Sequence, residues 1–161
     1  MTRSALEQQL AAVDADPTSV TALRAWVRDI LIGDDVEMDA QVEPLILAVV
    51  ERLDLASGND TELIEVARQL HALLRGVEDE ELAKALVPLA QDRANIMDVL
   101  RKAVKGQVSR TGWLSYVAEQ HWSAPVKKAL AVLDGPRLTH LLNALVHADY
   151  KTVATVLDLT S

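Results

Sequence analysis

The sequence predicts an all-α fold, and three observations indicate it. Half of the 161 residues are apolar, so the chain can bury a core without disulfides or metals. Phenylalanine is absent, and Ala, Leu and Val supply nearly all of the apolar mass, which is typical of close-packed helices. Apolar residues recur at intervals of three and four, without the alternation of half-buried strands. We expect a single domain over residues 1–161, either an irregular helical bundle or a short α-solenoid of helical hairpins.

Helix-breaking residues set the predicted limits of the first two helices. A first apolar stripe begins at Leu6. The helix that carries it should end at Asp16, because Pro17 disfavours the helical conformation in the residue before it. Asp16 is then a candidate N-cap, with Pro17 at the start of a second helix that Gly33 closes. An acidic link, DDVEMD at residues 34–39, follows.

A third helix is predicted around Leu45 to Leu53, with Pro44 near its start, and the SGND segment at 57–60 ends it. Residues 61–75 form the clearest amphipathic helix, which Gly76 terminates. The carboxylates at 78–81 suit the first turn of the next helix, where the helix dipole favours negative charge. Pro88 should kink that helix or restart it.

In the second half, a helix is predicted over about 95–104, and GQVSRTG at 106–112 reads as an exposed loop. Further helices should begin near Trp113, at Ser123 with Pro125, and after Gly135-Pro136. The final YKTVATVLDL segment fits a helix or a strand, although a lone strand has no partner. The predicted core comprises Leu23, Val27, Leu47, Val50, Leu63, Ile64, Ala67, Leu70, Leu74, Leu86, Val99, Leu100, Leu141 and Leu145.

The helix starts also suggest a repeat. Starts near Thr18, Thr61, Asn95 and Pro136 recur roughly every 35 to 43 residues, a spacing found in helical-hairpin repeats. The side-chain signatures of tetratricopeptide and ankyrin repeats are missing, so bundle and solenoid both stay open.

Charge is distributed unevenly along the chain. The formal net charge is −8. Residues 1–92 hold 7 Lys/Arg against 19 Asp/Glu, a net of −12, whereas residues 93–161 hold 9 against 5, a net of +4. We call these the acidic and the basic portion. Such asymmetry bears on partners rather than on fold.

Several functional classes lack sequence support. The absence of cysteine excludes disulfides, thiolate metal sites and a cysteine nucleophile, and it suits a cytoplasmic protein. No phosphate-binding glycine loop and no GxSxG or SxxK motif occurs. His140 and His147 are separated by about 10 Å along one helix, too far for one metal, and His71 fits a buried, hydrogen-bonded position. We expect no catalytic residue, no metal, no cofactor and no membrane span, because the longest apolar run, LILAVV, is short.

One cluster combines basic and aromatic side chains. Such a mixture can track phosphates and stack bases, but the aromatic residues also fit a core face, with the basic residues on a solvated surface. The candidate binding residues are Arg101, Lys102, Lys105, Arg110, Trp113, Tyr116, Trp122, Lys127 and Lys128.

The sequence therefore favours a non-enzymatic protein-interaction module, such as an adaptor, a regulator or an immunity-type partner, that binds another protein through charged helical faces. The alternative is a small helical subunit that binds nucleic acid or another polyanion through its basic portion. Self-association through the two charge portions is a further expectation. An enzyme with a dispersed site would need a deep polar pocket around a histidine.

Overall fold

The computed structural model describes residues 2–33 and 40–159, and within them the chain is all-helical, as predicted. The elements are α1 (Arg3–Ala15), a 3₁₀ turn (Pro17–Ser19), α2 (Val20–Ile32), α3 (Glu43–Leu55), α4 (Asp60–Gly76), α5 (Glu80–Gln91), α6 (Arg93–Val104), α7 (Arg110–Glu119), α8 (Ala124–Ala131), α9 (Gly135–Val146) and α10 (Tyr150–Val156). The link that holds Asp34 and Asp35 lies outside the described residues. In the described ranges, every helix is too short or too polar to cross a bilayer.

Short polar residues fix where most helices begin. In each case a side-chain oxygen accepts a hydrogen bond from the backbone N–H three residues later, which satisfies a donor that the first turn leaves free. The residues that do so are Thr2, Asn59, Asp79, Ser109, Asp134 and Asp149. The last of these settles the ambiguous C-terminal segment, which is the helix α10.

Of the two alternatives predicted at Pro88, the restart of the helix is wrong, and so is the predicted start of α7 near Trp113. Helix α5 continues through Pro88 to Gln91. Because Pro88 lies in the last turn, its missing N–H costs the helix one hydrogen bond shortly before it ends anyway. The predicted loop at 106–112 is shorter than expected, because the Ser109 side chain caps α7 and starts it at Arg110, three residues before Trp113.

The core is one continuous cluster that runs through all ten α-helices of the described ranges. Of the predicted core residues, eleven are buried, but Leu47, Ile64 and Val99 are only half-buried and pack at its margin or just outside it. Each stands next to fully buried neighbours on its helix, so an apolar stripe wider than the actual contact face explains the error.

Three helix pairings of the first five helices recur among the second five, although the close pairing of α3 with α5 has no comparable counterpart in the described part of the second five. Helix α1 packs against α4 and α4 against α5, and in the second half α6 packs against α9 and α9 against α10; α2 pairs with α3 as α7 does with α8. Buried residues of the first two helices in each half correspond at a separation of 90 positions: Leu6 with Ile96, Leu10 with Leu100, Leu23 with Trp113 and Val27 with Val117. We call α1–α5 the first unit and α6–α10 the second unit; their boundary coincides with that of the two charge portions.

Cations from one helix bind the carboxyl end of another throughout the fold. Arg3 donates to the carbonyls of Leu74 (2.7 Å) and Glu78 (2.7 Å) at the end of α4. Arg93, the first residue of the second unit, donates to the carbonyls of Leu145 (2.7 Å) and Val146 (3.1 Å) at the end of α9. The last carbonyls of a helix lack the regular donor four residues later, although Leu145 also accepts from the Ala148 N–H (3.1 Å), and the negative end of the helix dipole favours a cation there.

The two units are joined by a polar chain. The buried Tyr150 hydroxyl donates to Gln69 Oε1 (2.7 Å), and Gln69 Nε2 donates to Glu65 Oε1 (3.0 Å). The same carboxylate oxygen accepts from Arg93 Nη1 at 3.2 Å. Gln69 is the one buried polar residue of the described ranges, and its amide is satisfied from both sides, as burial requires. Burial raises the pKa of Tyr150 well above its usual range.

Candidate functional site

The aromatic members of the predicted cluster form a row inside the second unit. The ring centroids of Trp113 and Tyr116 are 6.0 Å apart, and those of Tyr116 and Trp122 are also 6.0 Å apart, the latter pair edge to face. Trp113 and Trp122 are only 2% and 5% exposed, so neither offers a free ring face on which a base could stack.

The polar atoms of this row are also engaged within the protein. Trp113 Nε1 donates to the Leu130 carbonyl (2.9 Å), and Trp122 Nε1 donates to Asp92 Oδ2 (3.0 Å). The Tyr116 hydroxyl donates a hydrogen bond to Asn95 Oδ1 at 2.8 Å. Burial, with a smaller contribution from the nearby carboxylates, raises the pKa of Tyr116 to about 12. The row thus connects α7 to α6 and α8.

The structure does not gather the basic members into one patch. Arg110 donates to the carbonyls of Ala131 and Leu133 (3.0 Å for the latter) at the end of α8. Lys127 donates to the Ala118 carbonyl (3.0 Å) at the end of α7. These two cations bind the ends of different helices of the α7–α8 pair and hold that pair together.

The other basic members are exposed. Lys102 pairs with Asp98 at 3.3 Å on the same helix. Arg101 and Lys105, one turn apart on α6, and Lys128 on α8 make no ion pair or hydrogen bond within the described part of the chain. Four of the nine predicted binding residues thus present charge to solvent: Arg101, Lys102, Lys105 and Lys128.

The acidic portion presents its charge outward. Of its seven cations, Arg3 and Arg24 bind carbonyls at helix ends, while Arg52 and Arg68 bind side chains. In the ranges that the structure describes, seven exposed carboxylates of this portion have no hydrogen-bonding or ionic partner: Asp29, Glu43, Glu51, Asp54, Glu62, Glu78 and Glu81. Three cations of this portion, Arg28, Arg75 and Lys84, are likewise exposed without such a partner in these ranges, so unpaired carboxylates outnumber unpaired cations on this surface.

A groove of about 470 Å³ lies where α3, α5 and the start of α8 meet. Its volume is in the range of sites that bind small molecules or single side chains. Apolar atoms supply much of the lining, and charged side chains surround it; the lining residues are Ala48, Glu51, Arg52, Glu81, Lys84, Ala85, Val87, Pro88, Ser123 and Pro125. We call this the α3–α5–α8 groove.

Two groups in this groove lack their usual hydrogen bonds. Pro88 has no N–H, so the carbonyl of Lys84, four residues earlier in α5, lacks its helical donor. Ser123 occupies the N-cap position of α8, but its side chain makes no capping bond, and its buried Oγ has no partner. The sequence contained both signals, since proline follows Lys84 by four positions and Ser123 precedes Ala124-Pro125, but only the fold shows that they share one groove.

Three further concavities, of about 480, 470 and 370 Å³, surround Arg75 at the end of α4. Their charges have mixed signs. Asp79 and Asp149, which line two of them, are used as helix caps, and the Thr152 hydroxyl and N–H lower the pKa of the Asp149 carboxyl. No single ligand chemistry is indicated there.

The histidines occupy the environments that their positions predict. His71 is half-buried, and its Nδ1 lies 3.3 Å from Asp14 Oδ2, while His140 is exposed on the polar side of α9. Within residues 2–33 and 40–159, no three histidine or carboxylate side chains come together so as to hold a metal ion.

Comparisons with protein-family models, with curated proteins and with solved structures each find no significant match.

Proposed function

We propose that the protein is a non-enzymatic interaction module, acting as an adaptor, a regulator or an immunity-type partner, whose first unit binds a basic surface of another protein. The observation that carries this proposal is which charges of the first unit are paired within the protein and which face solvent without a partner. Four of the six arginines of the acidic portion are engaged at helix ends or by side chains, whereas seven carboxylates, against three cations, face solvent without a partner in the described ranges. Such a surface attracts a positively charged protein and repels polyanions.

The same proposal includes a cytoplasmic location and, as its architecture, either a bundle or a short solenoid built from the two related units. Self-association between the acidic surface of one copy and the basic portion of another is compatible with it. A helical backbone is already ordered before association, so binding through helical faces costs side-chain freedom but little backbone freedom.

The second candidate is binding of a nucleic acid or another polyanion by the basic portion. It is favoured by one observation, the unpaired Arg101 and Lys105 one turn apart on α6. Two observations weaken this candidate. The tryptophans are buried, so no ring is free to stack on a base, and Arg110 and Lys127 already bind carbonyls at helix ends, so fewer cations are free.

Charge reversal distinguishes the two candidates. The acidic variant carries Asp29→Lys, Glu43→Lys and Asp54→Lys; the matched control carries Arg101→Glu, Lys105→Glu and Lys128→Glu. All six side chains are exposed and unpaired in the described ranges, so no ion pair or hydrogen bond is lost; Glu43 in the first turn of α3 and Arg101 and Lys128 in the last turns of α6 and α8 complement the helix dipole, so a small loss of thermal stability is expected in both variants and is measured first. Proteins captured from a lysate of the source organism are identified, and each candidate partner is then purified and titrated against both variants.

We expect one basic partner to bind the parent protein and the control but not the acidic variant, with an affinity that falls as salt rises. Equal binding to all three proteins would reject the proposal. In parallel, a fluorescent single-stranded oligonucleotide and a duplex are titrated at low salt. If the parent protein binds an oligonucleotide and the variant with Arg101, Lys105 and Lys128 changed to glutamate does not, the polyanion candidate is supported instead.

A further inference from the structure

We propose that two copies of this chain bind each other reversibly, with the end of α3 in one copy packed against the end of α6 in the other. The inference specifies the self-association that the proposed function allows, and it requires no other protein. It follows from two small exposed faces that have the same spacing of residues and opposite charge.

The first face is acidic and lies at the end of α3. Glu51, Asp54 and Leu55 occupy positions i, i+3 and i+4, so their side chains are neighbours on the surface of the helix. Leu55 is 67% exposed. Both carboxylates are exposed, and neither has a hydrogen-bonding or ionic partner in the described ranges. We call these three residues the α3 face.

The cations near this face do not neutralise it. Arg52, on the same turn, donates to Gln91 Oε1 of α5 at 3.0 Å. Lys84 of α5 lines a groove together with Glu51, but it forms no ion pair within the described residues. Glu81 lines the same groove and is equally exposed, so α5 adds one charge of each sign there. The α3 face therefore keeps its net negative charge.

The second face is basic and lies at the end of α6. Arg101, Val104 and Lys105 have the same i, i+3, i+4 spacing, and Val104 is 40% exposed. Both cations are exposed without a hydrogen-bonding or ionic partner in the part of the chain that the structure describes. Asp98, one turn earlier on the helix, is paired with Lys102 at 3.3 Å and leaves these two charges unbalanced. We call Arg101, Val104 and Lys105 the α6 face.

The two faces complement each other. Each has one exposed aliphatic side chain and two like charges, and the sign is negative on α3 and positive on α6. Contact between them covers the aliphatic side chains and places carboxylates next to cations, which gives an apolar centre with a charged rim. Within one molecule none of these four charges has a partner in the described ranges, so the contact requires a second copy. A closed dimer contains the contact twice, and an open chain of copies contains it once at each junction.

The association should be weak and dependent on salt. Two helix ends bury less than the roughly 1,200 Å² that stable interfaces require, and each exposed ion pair contributes little. The net charge of −8 on each copy also repels a second copy. At about 0.1 M salt, charges farther apart than about 10 Å are screened, whereas charges in contact still attract. We therefore expect a reversible equilibrium at about 0.1 M salt and its loss at about 1 M.

The test is sedimentation equilibrium of the purified chain alone, whose average mass should rise with protein concentration at about 0.1 M salt. The α3 variant carries Glu51→Lys with Asp54→Lys, and the α6 variant carries Arg101→Glu with Lys105→Glu. Each variant brings like charges together at the contact and should stay monomeric. An equimolar mixture of the two variants restores opposite charges at the contact and should associate like the parent protein.

Net charge alone predicts a different order. The α3 variant has a net charge of −4 instead of −8, because each lysine that replaces a carboxylate raises the charge by two. Weaker repulsion between copies would make this variant associate more strongly than the parent. The matched control, Asp29→Lys with Glu62→Lys, has the same net charge of −4 and leaves both faces intact, so it should associate at least as strongly as the parent.

The aliphatic contribution is tested without a change of charge. Leu55→Ser should weaken the association about three- to tenfold, because the contact covers this side chain with apolar surface. Ile32→Ser at the end of α2 is the matched control, since Ile32 is 70% exposed and lies outside both faces; it should leave the association unchanged. Circular dichroism should show the helical content of the parent in every variant.

The inference is overturned if the parent is monomeric at every concentration, if the mixture of α3 and α6 variants fails to associate, or if the α3 variant associates like its control. These results are separable from a failure of the proposed function, because the experiment contains no other protein. A monomeric parent would leave the α3 face open to a basic surface of a different protein. Conversely, self-association that the mixture restores would stand even if no other partner binds the acidic surface.

Discussion

Replacing Arg93 by methionine should destabilise the protein far more than the exposure of its side chain suggests. The side chain is 20% exposed, and it donates to the carbonyls of Leu145 and Val146 and to Glu65. Methionine keeps an unbranched stem and removes only the guanidinium, so packing is largely conserved. The carbonyls of Leu145 and Val146 lose a charged hydrogen-bond donor, and water screens part of the energy of each bond. We expect the free energy of unfolding to fall by about 2 to 4 kcal/mol.

The assay is equilibrium unfolding in urea, followed by tryptophan fluorescence and by far-ultraviolet circular dichroism. Arg101→Met is the matched control, since Arg101 lies on the same helix but is exposed and unpaired within the described residues; it should change stability by less than about 0.5 kcal/mol. The difference should persist in 1 M salt, because hydrogen bonds to carbonyls are screened less than surface ion pairs. If both variants lose the same amount, the idea that arginines secure helix ends across the fold is wrong.

Three further predictions follow from single positions. Ser109→Ala removes the cap of α7 and should cost about 1 kcal/mol in urea unfolding, whereas Ser123→Ala, which removes an unpaired hydroxyl, should be neutral or slightly stabilising; the opposite ranking would contradict the hydrogen-bond assignment. The chain's two tyrosines, Tyr116 and Tyr150, both have a raised pKa in the folded state, so ultraviolet titration should show no phenolate near pH 10 without urea and normal ionisation in urea. Because the unfolded state loses these protons first, stability should be complete below pH 10 and fall as the pH rises toward about 12; a flat profile would show that the phenols are not buried. Ala148 has a φ of 51°, so Ala148→Gly should raise the free energy of unfolding by about 1 kcal/mol, and a loss would mean that the methyl group packs favourably.

Local chemistry made the helix boundaries predictable. Gly33 follows the end of α2 as predicted, and Glu80 and Glu81 lie in the first turn of α5, but Asp16 with Pro17 begins a 3₁₀ turn that leads into α2, which itself starts three residues later at Val20. The one large boundary error came from Gly112, which suggests a loop although the Ser109 cap already satisfies its N–H. The spacing of apolar residues located the core, but it did not show which residues at the margin of the core are only half-buried.

The candidate site was less predictable because its parts are distant in sequence. The basic and aromatic residues near 101–128 are adjacent along the chain, yet the fold directs Trp113 inward and Arg110 onto a helix end. The bond from Arg93 to Leu145 crosses 52 positions, and no local pattern reveals such a contact. The same holds for the groove, in which Lys84 and Ser123 come from different units.

The hydrogen bond between Tyr150 and Gln69 has a consequence for how the protein is made. Gln69 is buried in the fourth helix, but its partner lies in the last, 81 positions later. During synthesis the amino-terminal half emerges before the tyrosine that Gln69 Oε1 binds, and the surface of α4 that α10 covers is still exposed to water. Its full stability is therefore reached only after the final helix has docked, so the finished chain should unfold in one cooperative transition despite the resemblance between its halves.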